Sequence, residues 1–253
     1  MTSAEDEKEL TLIDHLVELR DRILKSLVAV VVLFLALFYF ANDIYTYVAA
    51  PLISALPEGT SMIAVDPTAP FFAPFKLTFY AAVFLAAPFI LYQMWSFIAP
   101  GLYKNEKRLA IPLFISSVVL FYSGIAFARY VLFGIVFRFF ISVAPEGIQV
   151  APDISSFLSF ALTIFLAFGL AFEIPIAVYL CIWAGLAEPE TLSKKRPYVV
   201  VGCFVVAMLL TPPDPFTQSM LALPMWALFE LGIIAGKMAR KRQKEEAEKE
   251  PAT

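Results

Sequence analysis

Six runs of apolar residues, each close to the length that spans a bilayer, leave this chain few folds. An α-helix rising about 1.5 Å per residue needs roughly 20 apolar residues to cross about 30 Å of hydrocarbon. Runs approaching that length cover residues 24–40, 77–98, 109–128, 157–183, 198–210 and 216–235. Hydrophobic residues make up 60% of the 253 and charged residues 16%, too little polar surface to cover a water-soluble core of this size. The expected class is therefore an all-α integral membrane protein with six transmembrane helices in one domain, residues 1–236. A charged tail over 237–253 is expected to be disordered. No basic face for nucleic acid exists, and no small-residue cleavage site follows the first run, so a removable signal peptide is not expected.

Lys and Arg accumulate on cytoplasmic loops, which fixes an expected orientation. Of the nineteen basic residues, all but Lys76, Arg129 and Arg138 fall on one side of a six-span chain: the N-terminus, the loops 99–108 and 184–197, and the tail. Both termini are expected in the cytoplasm. The apolar piece Tyr130 to Phe137 is too short to span alone and reads as the third helix projecting beyond the bilayer. On the outer side, residues 42–75 carry Pro51, Pro57, Pro67, Pro70 and Pro74, and 144–156 carry Pro145 and Pro152. Such proline density forbids long helices and predicts an ordered extracytoplasmic cap. The fifth and sixth spans are expected to be short, joined by the tight turn Thr211-Pro212-Pro213-Asp214-Pro215. Thirteen residues from Tyr198 to Leu210 reach only about 20 Å, so either the membrane thins beside them or the helix is shielded. Pro88, Pro112, Pro175 and Pro224 lie within spans, where kinks either give a concave bundle, the expected form, or merely adjust packing.

Few residues can carry chemistry. His15 is the only histidine, and Cys181 and Cys203, both in apolar runs, form no CxxC pair; they read as buried thiols, and neither a metal site nor a cofactor is expected. Thr11 and Asp14 open a capping-box-like start, after which Leu12, Leu16, Leu19 and Ile23 repeat at helical spacing. This predicts an amphipathic helix on the membrane surface that turns into span one and presents Glu18 at the interface. Glu18 could simply pair with Arg22 one turn on. Glu106, in a loop on the same expected face, could equally be a solvated charge. Two carboxylates on one surface would suit a ligand with two guanidinium groups, whose planar forks lysine cannot copy. Glu173 lies inside the fourth span, where an ionised carboxylate must face protein, water or a partner, or else be protonated. Glu230, near the end of the sixth span, could reach the interface.

Several motifs in order resemble one family. They are His15-Leu16-Val17-Glu18-Leu19-Arg20; Phe97-Ile98-Ala99-Pro100-Gly101-Leu102-Tyr103 with Glu106 following; Phe168-Gly169 through Glu173-Ile174-Pro175; Lys195-Arg196-Pro197-Tyr198; and Thr211-Pro212-Pro213-Asp214. Together they resemble TatC, the polytopic receptor subunit of the twin-arginine protein translocase, over nearly the whole chain to about residue 236. The resemblance implies recognition of twin-arginine signal peptides on folded precursors and export with TatA and TatB, driven by the proton-motive force across the bacterial inner membrane. It implies a multimeric receptor complex in membrane lipid and no enzymatic step. By motif position, Glu18 and Glu106 match the acidic residues that receive the paired arginines. Glu173 matches an intramembrane acidic residue implicated in partner contacts. Arg20, Phe97, Lys104, Pro51 and Asp214 match further motif positions, with roles less separable from folding.

The alternative from another class is a proton-coupled secondary transporter of a small solute, with Glu173 as the coupling carboxylate. Against it, the two halves differ in loop and span length and show no convincing internal repeat. An intramembrane enzyme is weaker, since neither HExxH nor GxSxG occurs.

Overall fold

The computed structural model describes residues 3–53, 62–98, 107–143, 151–211 and 214–249. Within these, the side chains of residues 3–12, 51–53, 98, 107–110, 242–244 and 246–249 lie outside the description. The described elements are α1 (Ser3–Leu37), a short 3₁₀ turn (Phe38–Phe40), α2 (Ala41–Ile53), α3 (Ala69–Ile98), α4 (Lys107–Phe127), a π-helical turn (Ala128–Leu132), α5 (Phe133–Ser142), α6 (Ile154–Ala171), α7 (Ile174–Trp183), α8 (Pro189–Lys194), α9 (Arg196–Leu210) and α10 (Pro215–Lys249). Five described helices are long and apolar enough to cross a membrane, and α9 is a shorter apolar helix of 15 residues. The six-span expectation holds.

Two compact units emerge, Met1–Pro51 with Asp66–Val118, and Leu52–Val65 with Val119–Thr253. In the first, α1 lies along α3. Val30, Ala82 and Ala86 are buried between them, and Leu33, Phe34, Leu37, Val83 and Ile90 pack around that centre. The alanines let the helix backbones approach, as small residues do where no hydrophobic effect drives helices together. Phe34 meets Phe75 edge to face at 5.0 Å, a favoured geometry for aromatic quadrupoles.

In the second unit α10 packs on α7. Val178, Ile182, Phe229 and Ile233 form the buried seam. Gly232 and Gly236 face it: a Cβ on the first would stand 2.8 Å from the Val178 Cβ, and one on the second would collide with the Ile182 side chain. Gly124 brings α4 onto α6 so closely that a Cβ there would overlap the Phe168 carbonyl. Ile63 forms a parallel bridge with Asp153, its N–H donating to the Pro152 carbonyl at 3.1 Å and its own carbonyl accepting from the Ile154 N–H at 3.0 Å.

Several expectations need correction. The amphipathic segment does not turn into span one: α1 runs unbroken from Ser3, so Thr11 lies inside it, because no Gly or Pro interrupts Ser3–Leu37. The prolines of residues 42–75 do not exclude helix. Pro51 sits in the last turn of α2, and α3 begins at Ala69, eight residues before Leu77, with Pro70 in its first turn, where a missing N–H leaves no bond unmade. α10 carries on through the tail as helix to Lys249. Its Ala, Lys, Glu, Arg and Gln residues are strong helix formers, and Lys241 reaches Glu245 one turn on at 3.7 Å. Cys203 is buried as expected, but Cys181 is exposed. The Tyr130–Phe137 piece does extend the third span: the apolar helical stretch covers Ile111–Ser142, 32 residues, or about 48 Å at the helical rise.

Candidate functional site

The carboxylate of Glu18 is built into a junction between α1 and the C-terminal turns of α3. Arg22, one turn after Glu18, donates to Glu18 Oε1 from Nε at 2.9 Å and from Nη2 at 2.5 Å. The same guanidinium crosses to α3: Nη2 donates to the Ser96 carbonyl at 3.0 Å, and Nη1 lies 3.4 Å from Gln93 Oε1 and 3.5 Å from the Gln93 carbonyl. Ser96 O is among the last carbonyls of α3, which lack intrahelical donors and carry the negative end of the helix dipole, so a cation is favoured there. Glu18 is thereby held by one oxygen. Its other oxygen, Oε2, accepts no hydrogen bond among the described residues, and its side chain is 36% exposed.

Two depressions meet at this junction. One, of about 400 Å³, is lined by the charged residues Asp14, Glu18, Asp21, Arg22 and Lys25 with Val17. The other, of about 350 Å³, is nearly all apolar and is lined by Leu19, Ile23, Ile90, Met94 and Phe97 with Arg22 at its border. His15 packs its ring against Phe97 with centroids 4.5 Å apart, so the lone histidine makes a ring contact with the apolar groove. A charged head and an apolar body on one ligand would find matching surfaces side by side.

The remaining candidate residues divide. Arg20 is turned elsewhere: it pairs with its neighbour Asp21 at 2.8 Å and is 66% exposed. Glu106 and Lys104 lie outside the described residues, as does the side chain of Pro51. Asp214 caps α10, accepting from the Thr217 N–H at 2.7 Å and from the Thr217 hydroxyl. Glu173 stands at the break that splits the fourth span into α6 and α7. Its N–H donates to the Leu170 carbonyl and its carbonyl accepts from Ala177, both at 3.0 Å, while Pro175 withholds the next amide from the ladder. Beside the break, Leu170, Ala171 and Ile174 join Val199, Gly202 and Cys203 of α9 around an apolar cavity of about 580 Å³.

Sequence reasoning foresaw the Glu18–Arg22 pair from its spacing but not its tether to Gln93 and Ser96, since those acceptors are mostly backbone and carry no residue signature. It also left Glu230 without a partner. Arg196, at the start of α9, meets Glu230 with Nε to Oε1 at 2.5 Å and Nη2 to Oε2 at 2.7 Å.

Residues 14–224 match the family model described as Sec-independent protein translocase protein (TatC). The chain belongs to the TatC family. It is 54% identical to the Sec-independent protein translocase protein TatC of Azotobacter chroococcum mcd 1 over 253 residues, covering 100% of this chain and 99% of that one. To the TatC of Escherichia coli (strain K12) it is 55% identical over 246 residues, 96% of this chain and 95% of the relative. A crystal structure of the twin arginine translocase receptor TatC superposes with a TM-score of 0.82 at 36% identity, covering 89% of this chain and 99% of that one. TatC proteins are components of a protein translocase rather than a catalytic enzyme family, which removes support for the solute-transporter alternative. For this TatC chain the apolar helices give a multi-pass membrane protein with a transport function.

Proposed function

We propose that this chain is the signal-peptide receptor of a twin-arginine translocase in the bacterial cytoplasmic membrane, with both termini in the cytoplasm. The observation that carries the reading is the placement of Glu18: a partly exposed carboxylate with one oxygen that accepts no hydrogen bond among the described residues, where a depression lined by charged residues adjoins an apolar groove. A twin-arginine signal peptide has that composition, a guanidinium pair followed by an apolar stretch. One arginine docks on Glu18 and the other on Glu106, and the apolar stretch lies along the groove lined by Leu19, Ile90, Met94 and Phe97. At a partly desolvated surface, charge-assisted bonds between guanidinium and carboxylate are short and strong.

Export proceeds with the single-span partners TatA and TatB, in a multimeric receptor complex, at the expense of the proton-motive force. Glu173 serves as the polar contact for a partner helix, at the break between α6 and α7 within an otherwise apolar span. No covalent bond of the precursor changes, so the task is recognition and passage.

The test is binding of a fluorescent twin-arginine peptide to protein purified into nanodiscs. Glu18→Ala and Glu106→Ala each weaken binding by about tenfold or more, with helix content and thermal midpoint retained, because Arg22 keeps its partners on α3 when Glu18 is removed. Unchanged affinity in both variants overturns the reading.

A further inference from the structure

We infer that Arg22 is the positioning residue of the receptor carboxylate: it consumes Glu18 Oε1, ties it to the end of α3, and leaves Oε2 as the single oxygen offered to an incoming guanidinium. The inference rests on the proposal that Glu18 receives an arginine, and goes beyond it by assigning what orients that carboxylate and how much of an arginine it can hold.

The geometry distinguishes this from an ordinary helix-surface pair. An exposed Glu–Arg pair one turn apart is loosely held and worth only a few tenths of a kcal/mol. Here the guanidinium is 21% exposed and reaches three acceptors on a second helix besides Glu18. Two of those acceptors are backbone carbonyls near the C-terminus of α3, which stay where the helix puts them. Nε and Nη2 both converge on Oε1 of Glu18, so Arg22 spends one edge of its fork on one carboxylate oxygen and not on both. The arginine is fixed by α3, and the glutamate is fixed by the arginine.

Two consequences follow for the ligand. A carboxylate that already accepts two donors on one oxygen cannot form a two-pronged bond with a further guanidinium through both oxygens unhindered. The incoming residue therefore bonds Glu18 through Oε2 alone, without the two-oxygen match of a forked pair, and a lysine ammonium can also reach that single oxygen. Discrimination of Arg from Lys at Glu18 is accordingly shallow while Arg22 is present. Removing Arg22 frees both oxygens but lets the side chain rotate, so affinity falls while the Arg preference at this position rises.

A double-mutant cycle on the full-length protein in nanodiscs tests this, with peptides carrying Arg-Arg, Lys-Arg and Arg-Lys at the twin position as probes. Arg22→Gln weakens Arg-Arg binding by about tenfold, while in the Glu18→Gln background the same change has no further effect, because its action passes through the carboxylate. For whichever single-Lys peptide places its Lys at Glu18, Arg22→Gln widens the ratio of Arg-Arg to single-Lys affinity. Arg22→Lys keeps the charge but cannot hold Glu18 and the α3 carbonyls together, and restores less than half of the lost binding free energy. An equal loss in both Glu18 backgrounds makes Arg22 a scaffold residue and overturns the inference, as does tighter Arg-Arg binding by Arg22→Gln, which would make Arg22 a competitor. If Glu18→Gln alone leaves Arg-Arg binding unchanged, it is the assignment of Glu18 as an arginine acceptor that fails, and the two failures are thus distinct.

Discussion

Arg196 and Glu230, 34 positions apart, share a two-pronged ion pair that fastens the start of α9 to α10. Arg196 is 46% exposed and Glu230 21%. The paired geometry matters more than the charge, since a lysine in place of Arg196 reaches one oxygen and loses the planar match. Glu230→Gln is expected to lower the thermal midpoint in detergent by about 2 °C, and Arg196→Lys by less. The double exchange Arg196→Glu with Glu230→Arg recovers more than half of either loss. A reversed pair no more stable than the single variants would show that packing, and not the pair, sets this junction.

Gly124 has the tightest helix contact for a substitution to test. A Cβ there would overlap the Phe168 carbonyl and stand 3.0 Å from the Phe172 Cβ, and a carbonyl cannot swing aside as a side-chain tip can. Gly124→Ala is expected to destabilise by about 1–3 kcal/mol, as overpacked cores do. Gly202, with nothing within 4 Å of its would-be Cβ, serves as the control, and Gly202→Ala stays within about 0.5 kcal/mol of the parent. Equal unfolding midpoints for the two variants would remove the contact from the account of α4–α6 packing.

Much of the fold was legible because hydrocarbon imposes length and composition on every span, whereas Pro175 was read only as one of four kinks and it alone stands at a break between helices. The helix ends were not. Whether a chain leaves a helix depends on a breaker being present, and the segment Asp14 to Leu24 contains polar residues but no breaker, so α1 continues. Gly232 and Gly236, spaced by four, carried the signal of a close helix crossing and could have paired α10 with another helix from sequence alone. In the site, Glu18 was legible as a type on an interface and Phe97 only through the motif resemblance, and the structure brings them to adjoining depressions. Arg22 was visible only as a partner at helical spacing. Its hold on α3 depends on the approach of two elements 71 to 74 positions apart, which no local pattern encodes.

Asp214 shows how a motif position can act by capping a helix. It accepts the Thr217 N–H at 2.7 Å, the geometry of an N-cap, and satisfies one of the amides that α10 leaves open at its start. Asp214→Ala is expected to cost about 1 kcal/mol of local stability and Asp214→Asn a few tenths, since the amide oxygen can still accept. Exchange of the Thr217 amide, faster by about fivefold in the alanine variant and near parental in the asparagine variant, is the measurement. A large defect in Asp214→Asn with Thr217 still protected would instead place a requirement for negative charge at this position.

Asp153 makes the second unit acid-sensitive at one point. Its carboxylate accepts the Ser156 N–H at 2.9 Å, capping α6, and the Val65 N–H at 3.1 Å, tying the Ile63 segment to that helix. Those bonds, with the Ser156 hydroxyl, hold the carboxyl below its ordinary value of 3.8. A carboxyl whose value is depressed by folding contributes stability above its unfolded value and loses it as the pH falls toward and through the folded one. Protection of the Val65 and Ser156 amides, corrected for intrinsic exchange, is therefore expected to be flat from pH 7 to about 5 and to fall below about pH 4. Asp153→Asn keeps one acceptor, removes the titration, and shows partial protection that no longer responds to acid. The same pH profile in Asp153→Asn as in the parent would assign the acid response to another group.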